Sequence, residues 1–394
     1  MKKLAFVIPW YGEKIPGGAE SALRGLVHHL HDAGVELEVL STCVKEFSAD
    51  WSKDYHKPGL TVEDGILIRR FKVRRRDGDA FDSINYKLIN KQTISSLEED
   101  IFLREMVNSP DLYEYIRDHQ DEYELFVFTP YLFGTTYNGI LACPEKSVMI
   151  PCFHDEGYAY MERFREAFGR VRGMIYLSEP EMSLANRLYS LDGTKQEVIG
   201  TGIDTGYEGD AEAFRKKYKI RDPFILYAGR KDEGKNIYTL LRYFSEYKKR
   251  RSRQGLKLVL IGGGEVGIPR EDKADIIDLG FVSRKDKMDA CAACELLCQP
   301  SKNESFSLVI MESWMAGRPV IVNGDCDVTK NFAVSSGGGL YFDNYYEFEG
   351  CVDYIIEHKD IAAVMGENGR KYVLDHFDWS IIVDKTMLFL ETCV

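Results

Sequence analysis

Two glutamates with seven residues between them, Glu304 and Glu312, are the residues of this 394-residue chain best placed to do chemistry. They lie in Pro300-Ser301-Lys302-Asn303-Glu304-Ser305-Phe306-Ser307-Leu308-Val309-Ile310-Met311-Glu312, which Ala316-Gly317-Arg318-Pro319 follows. The pattern predicts a strand-end loop carrying Glu304 and a helix, starting near Ser305, carrying Glu312. Ser307 and Leu308 then offer N–H groups at a helix N-terminus, an anion site because the first amides lack intrahelical acceptors and the peptide dipoles add. Eight residues of helix rise about 12 Å, beyond the roughly 5–9.5 Å between the paired carboxylates of glycoside hydrolysis. Two separate carboxylates, each accepting from a pair of neighbouring hydroxyls, one on a sugar and one on a ribose, suit the spacing better.

Three glycine-rich loops are candidates for holding phosphate. Gly262-Gly263-Gly264-Glu265-Val266-Gly267 matches G-x-G-x-x-G, but Ile268-Pro269-Arg270 follow where a helix should open, and the match falls in mid-chain. Both features argue against a dinucleotide-binding dehydrogenase. Pro16-Gly17-Gly18-Ala19-Glu20 sits between the first strand and the first helix, where ligands approach the backbone of open α/β sheets; a tight turn is the alternative. Gly229-Arg230-Lys231-Asp232-Glu233-Gly234-Lys235-Asn236 also follows a strand. Its Arg230 and Lys235 suit a diphosphate, arginine as a fork and lysine as a point charge.

The elements that must position these residues are legible as short apolar runs alternating with amphipathic stretches, the pattern of an α/β protein with parallel sheets. Strands are expected near Leu4-Pro9, Glu36-Ser41, Leu125-Thr129, Ser147-Pro151, Met174-Ser178 and Glu197-Gly200. A helix is expected from Glu20 to Ala33, where Gly34 stops it. After Gly202-Ile203-Asp204 a second series begins, with strands near Phe224-Ala228, Lys257-Gly262, Ile277-Phe281, Leu296-Gln299, Pro319-Val322 and Gly339-Phe342. The length calls for two domains, 1–204 with 377–394 and 205–376. The last segment, Trp379 to Cys393, sets Trp379, Ile382, Val383, Met387, Leu388 and Leu390 at mostly helical spacing and should bury that side.

Composition narrows the function. The formal charge of -12 opposes nucleic-acid binding, which needs a basic face. No apolar run is long enough to span a bilayer. The run after Met1-Lys2-Lys3 is too short for a signal peptide, and nine cysteines without one point to reduced thiols in the cytoplasm. Cys291, Cys294 and Cys298 straddle a helix and a strand and read as buried core thiols, not metal ligands. His28, His29 and His31 lack a metalloprotease pattern and read as a polar helix face, so no metal site is expected. Arg69, Arg70, Lys72, Arg74, Arg75 and Arg76 form a basic island. It could hold an anionic acceptor or a membrane surface at the inner face of the bilayer, or be a charged edge strand that discourages aggregation.

The run from Glu304 to Glu312, with its flanking Pro-Ser and Ala-Gly-Arg-Pro-Val, resembles the E-x7-E signature of retaining glycosyltransferases of family four. Pro16-Gly17-Gly18-Ala19-Glu20 is similar to that family's acceptor-side loop, Gly202-Ile203-Asp204 to its domain junction, Gly229 through Asn236 to its diphosphate segment, and Leu279-Gly280-Phe281-Val282 to its base-side turn. The resemblance implies the GT-B fold: two Rossmann-like domains facing across a cleft, N-terminal for acceptor and C-terminal for donor, the last helix returning to the first domain. By the same resemblance Glu304 binds hydroxyls of the transferred sugar and Glu312 the ribose. Arg230 and Lys235 hold the diphosphate, Gly17, Gly18, Gly229, Phe281, Val282, Ser305, Phe306, Ser307 and Leu308 line the donor site, and His154, beside Asp155, touches the donor sugar. Ser307 departs from the glycine many members carry and bears on donor preference.

The implied activity is retaining transfer of a hexosyl unit, without metal or cofactor, from a nucleotide-diphosphate sugar, UDP-sugar favoured, to a hydroxyl of a glycan or lipid-linked acceptor. The alternatives are another GT-B enzyme, such as a nucleotide-sugar epimerase or disaccharide phosphorylase, and a non-catalytic sugar-nucleotide-binding scaffold.

Overall fold

Buried strands alternate with helices along the whole chain in its computed structural model, which describes residues 2–13, 15, 17–251 and 255–394. Two compact units result, Met1–Gly202 with Trp379–Val394, and Ile203–Asp378. The first holds β1 (Lys3–Val7), β2 (Leu37–Thr42), β3 (Gly59–Glu63), β4 (Ile66–Phe71), β5 (Tyr123–Phe128), β6 (Ser147–Met149), β7 (Gly173–Tyr176) and β8 (Lys195–Val198). Their order is β3-β4-β2-β1-β5-β6-β7-β8, parallel except for the β3–β4 hairpin. The second unit holds β9 (Phe224–Ala228), β10 (Lys257–Ile261), β11 (Ile276–Asp278), β12 (Leu296–Gln299), β13 (Val320–Asn323) and β14 (Gly339–Phe342). All pair in parallel in the order β11-β10-β9-β12-β13-β14.

Helices must cover both faces of such sheets, so the central strands are runs of apolar residues, as in FILYA and the LVLI that follows Lys257. Each sheet reverses its winding once, between β1 and β5 in the first unit and between β9 and β12 in the second. Loops on either side of such a reversal diverge and leave a crevice at the strand carboxyl ends, where open α/β sheets take their ligands.

The β3–β4 hairpin was not legible in the sequence, and it changes the reading of the basic island. β4 lies inside the sheet, paired with both β2 and β3, so it is not an edge strand. Arg69 pairs with buried Glu38 at 2.7 Å, Arg70 with Glu63 at 2.8 Å, and Arg74 with Glu105. Arg76 lies on aromatic rings, and only Lys72 and Arg75 are exposed. Most of the charge expected to face a membrane or acceptor is thus spent inside the protein.

The last helix, Trp379–Thr392, returns to the first unit. A Cβ on Gly25 or Gly202 would fall 2.3 Å or 2.1 Å from the Trp379 ring, so both positions must be glycine for the ring to seat. His29 stacks on the same ring at 4.2 Å, which removes it from the solvated face expected for the three histidines. Phe389 and Leu390 are buried, but Leu388 is exposed, contrary to the apolar side read from spacing. Cys291, Cys294 and Cys298 are buried in the second unit, and burial pushes the Cys294 thiol up to about 12. No helix among the described residues is long and apolar enough to cross a membrane.

Candidate functional site

The crevice between β9 and β12 gathers most of the residues singled out by spacing. β9 ends at Ala228 and leads to Gly229, whose N–H bonds to the Ile261 carbonyl at 2.9 Å. The Lys231 N–H reaches the Gly263 carbonyl at 2.8 Å, and the Gly262 N–H reaches Gly280 at 2.8 Å. The loops after β9, β10 and β11 are therefore laced together by backbone. Gly262 has φ 127°, and a Cβ there would stand 2.0 Å from the Gly229 oxygen. That is the work of the G-x-G-x-x-G match: close approach of two loops. Lys231, absent from the sequence-based assignment, is buried and ties its loop to Asp278 at 2.6 Å.

Arg230 stays exposed, with Asp232 at 3.1 Å as its carboxylate neighbour. Asp232 also accepts the Lys235 N–H at 2.9 Å, turning the chain so that the Lys235 ammonium reaches Glu304 at 2.6 Å. Asn236, in the left-handed region at φ 54°, fixes the start of the helix Ile237–Arg250 by donating to the Pro300 carbonyl at 2.9 Å. Asn323, the last residue of β13, donates to the same carbonyl at 3.1 Å. The loop after β12 is thus held from both neighbouring strands.

That loop departs from expectation at one point. The helix carrying Glu312 begins at Leu308, three residues later than predicted, because Ser307 adopts φ 81° and ψ 78° and breaks the helical path. A 12 Å rise along continuous helix from Glu304 to Glu312 therefore does not apply. The two carboxylates are kept apart by separate lysines: Glu304 is held by Lys235, and Glu312 by Lys287 from the helix Arg284–Ala293. The φ at Ser307 also explains why glycine suits this position, since a Cβ is costly in the left-handed region. Gln299 supports the strained turn, its amide lying 3.2 Å from both Glu304 and the Ser307 hydroxyl.

Glu312 is the most informative side chain. One carboxylate oxygen takes the Lys287 ammonium, and the other, Oε2, is buried with no hydrogen-bond partner. A buried acceptor left open loses on the order of 1–3 kcal/mol of hydrogen bonding, and buried acceptors are rarely left so in native proteins. Leu308 and Ser305 are partly exposed at the front of the helix, whereas the Phe306 ring is buried edge-on against Phe332 and Phe377. Phe306 thus leaves only its backbone for a ligand. Phe281 is 77% exposed after Gly280 at φ 64°, a bare ring beside the glycine loop, with Val282 partly exposed next to it.

In the first unit, Gly17 and Gly18 follow β1. Gly17 has φ 142°, and a Cβ there would meet the Glu20 carboxylate at 1.9 Å while Glu20 accepts from the Trp10 indole at 2.7 Å, so the turn itself requires glycine. Gly18 faces open space. Pro16 lies outside the described residues. His154 follows β6, and its Nδ1 faces Glu156 at 3.5 Å, not the adjacent Asp155, which Arg187 and Tyr160 hold. Burial would raise Glu156, but the His154 and Tyr131 contacts outweigh it and hold the carboxyl below its usual range. The loop is clamped by Glu181, which composition and spacing did not flag. Its buried carboxylate accepts the N–H groups of Phe153 at 2.7 Å and Leu177 at 2.6 Å.

Residues 210–372 match the family model of glycosyl transferases group 1. A phosphatidyl-myo-inositol mannosyltransferase of Mycolicibacterium smegmatis is 23% identical over 99% of this chain and 94% of its own length. An uncharacterized glycosyltransferase of Methanocaldococcus jannaschii is 26% identical over 55% of this chain, and the chain spans only 62% of that relative. Among solved structures, a sucrose-phosphate synthase of Thermosynechococcus elongatus superposes with TM-score 0.72 at 15% identity, covering 100% of this chain and 99% of that one. The Anabaena protein HepE, solved with UDP and glucose, superposes with TM-score 0.69 at 16% identity over 100% of both chains. The fold is GT-B, and residues 210–372, which include the E-x7-E run, carry the match to the group 1 glycosyl transferases.

Proposed function

We propose that this chain is a retaining, metal-independent hexosyltransferase that takes its sugar from a UDP-sugar and delivers it to a hydroxyl of a glycan or lipid-linked acceptor. The unit Ile203–Asp378 is the donor unit of this reading. The observation that carries it is Glu312: a largely enclosed carboxylate with one oxygen on Lys287 and the other without a partner is what a ribose diol needs. Glu304 takes sugar hydroxyls. Lys235, with one of its three donors on Glu304, keeps the others for the diphosphate, alongside Arg230 and the helix start at Leu308. Phe281 offers its face to the base. Solved HepE with UDP supports the choice of nucleotide.

In the transfer, the bond from the anomeric carbon to the diphosphate oxygen breaks while the acceptor oxygen bonds to that carbon from the same face. The acceptor proton passes to the departing phosphate oxygen. Charge accumulates on the leaving group, and fixed cations and amides that stabilise it there are worth most because they need no reorganisation. Nine free thiols support a reducing, cytoplasmic setting.

The test is calorimetric titration, with chelator present, of UDP, GDP, ADP and their sugars against the protein and Glu312→Ala. Micromolar binding of one nucleotide class, lost in the variant, is expected. Absence of binding by every nucleotide would overturn the reading, and isomerised donor without acceptor would assign an epimerase instead.

A further inference from the structure

Four of the six cations between Arg69 and Arg76 are withdrawn from solvent, and three of them have a carboxylate partner: Glu38, Glu63 and Glu105. Arg76 has none among the described residues. Its guanidinium lies over the rings of Trp51 and Phe81, 4.8 Å and 4.6 Å from their centroids, and its Nη1 is enclosed without a hydrogen-bond partner. The acidic groups it feels are Asp82, Asp50 and Glu105. Asp82 is exposed, Asp50 is engaged by Lys53 and the Ser52 N–H, and Glu105 by Arg74, Arg104 and the Asp77 N–H. Burial pushes Arg76 below the ordinary arginine range, the mark of a cation short of compensation.

The position is also fixed in place. The Arg76 N–H reaches the Ser52 hydroxyl at 3.3 Å, and the Arg74 N–H reaches the Asn108 carbonyl at 3.0 Å. Arg76 follows β4 at the carboxyl end of its sheet. Trp51 stacks on Trp10 and meets Phe133 edge-on, both at 6.0 Å, and these two follow β1 and β5, the strands flanking the crevice. Phe47, half exposed, packs on Trp10 and Trp51 and is the ring of the cluster open to a ligand.

We propose that Arg76 is the subsite for an anionic group, phosphate or carboxylate, on the acceptor, with the Phe47 face receiving the sugar or polyol that carries it. With Nη1 enclosed, the Nε and Nη2 edge of the guanidinium offers the two parallel N–H donors that match the two oxygens of either group, and rings beneath it hold the plane without competing for those donors. The chain carries a formal charge of -12, so an anionic acceptor is repelled at long range and needs such a local cation. The inference rests on the transferase reading, which makes the first unit the acceptor unit.

The test titrates the full chain with glucose 6-phosphate, glucuronate and methyl glucoside, followed by tryptophan fluorescence, and repeats it with Arg76→Gln and Arg76→Lys. Vesicles of phosphatidylglycerol or phosphatidylcholine present the same group, or a zwitterionic control, on a lipid. Charged sugars or phosphatidylglycerol should bind about tenfold more tightly than their neutral or zwitterionic counterparts. The preference should vanish in Arg76→Gln and survive in part in Arg76→Lys. Sugar binding would assign a soluble acceptor, and vesicle binding alone a lipid head group. Equal affinity for charged and neutral probes, no binding by any anionic probe, or an undiminished preference in Arg76→Gln would overturn the proposal. UDP titration of the same samples separates the two ideas: loss of UDP binding in the unaltered protein sinks the transferase reading, whatever the anions do.

Discussion

Glu181 should make the first unit less stable as the pH rises toward neutrality. Its carboxyl is fully enclosed, and burial pushes it from an ordinary 4.5 up to about 7, against the pull of the Leu177 and Phe153 N–H groups. Between those values the folded state holds a proton that the unfolded chain has released. The contribution is therefore complete below pH 4.5 and is lost as the pH rises through about 7. At about 1.4 kcal/mol per pH unit, the rise from 4.5 to about 7 amounts to about 3 kcal/mol, of which about 2 kcal/mol falls between pH 5.5 and 8. Glu181→Gln has no proton to lose. Urea unfolding, followed through Trp10 and Trp51 in the same unit, should show the gap between the original protein and the variant narrowing or reversing by about 2 kcal/mol across that range. Parallel stability curves would refute the assignment, because every other titrating group is common to both proteins. Since this carboxylate also clamps the loop before His154, the same series should show turnover changing with the clamp's charge.

Three further outcomes follow from the geometry. Lys287→Met leaves the Glu312 carboxylate without its cation, and UDP affinity measured by calorimetry should fall about tenfold; unchanged affinity would remove Glu312 from the ribose site. Gly262→Ala forces a Cβ into the Gly229 carbonyl and should cost about 2 kcal/mol or more in unfolding of the second unit, with weakened UDP binding; a variant as stable as the original would mean the loops part freely. His154→Ala should lower turnover about a hundredfold while leaving UDP affinity intact, since its partner is Glu156 in the first unit, itself held by the Tyr131 hydroxyl; equal loss of both would indicate a folding defect.

The sequence by itself determined the parts of this protein whose signal is local. Apolar runs flanked by glycine and polar residues located β9, β12 and β14 to the residue; β9 and β12 are buried throughout and have no polar register to blur their ends. The E-x7-E spacing, Arg230 and Lys235 were legible because each lies within a few residues of a strand end. The β3–β4 hairpin was not, because its arginines look like surface until Glu38, Glu63 and Glu105, up to 31 residues away in sequence, neutralise them. Tertiary structure alone decided that Lys287, 25 residues from Glu312, is its partner. It alone gave the G-x-G-x-x-G match to loop packing, and set Glu181 as the clamp 28 residues from Phe153. Ion pairs and backbone contacts depend on where separate segments meet, and one chain read in order carries propensity and period but no distances across the fold. The sequence named the residues that could do chemistry, and the winding of the two sheets decided which of them share a crevice.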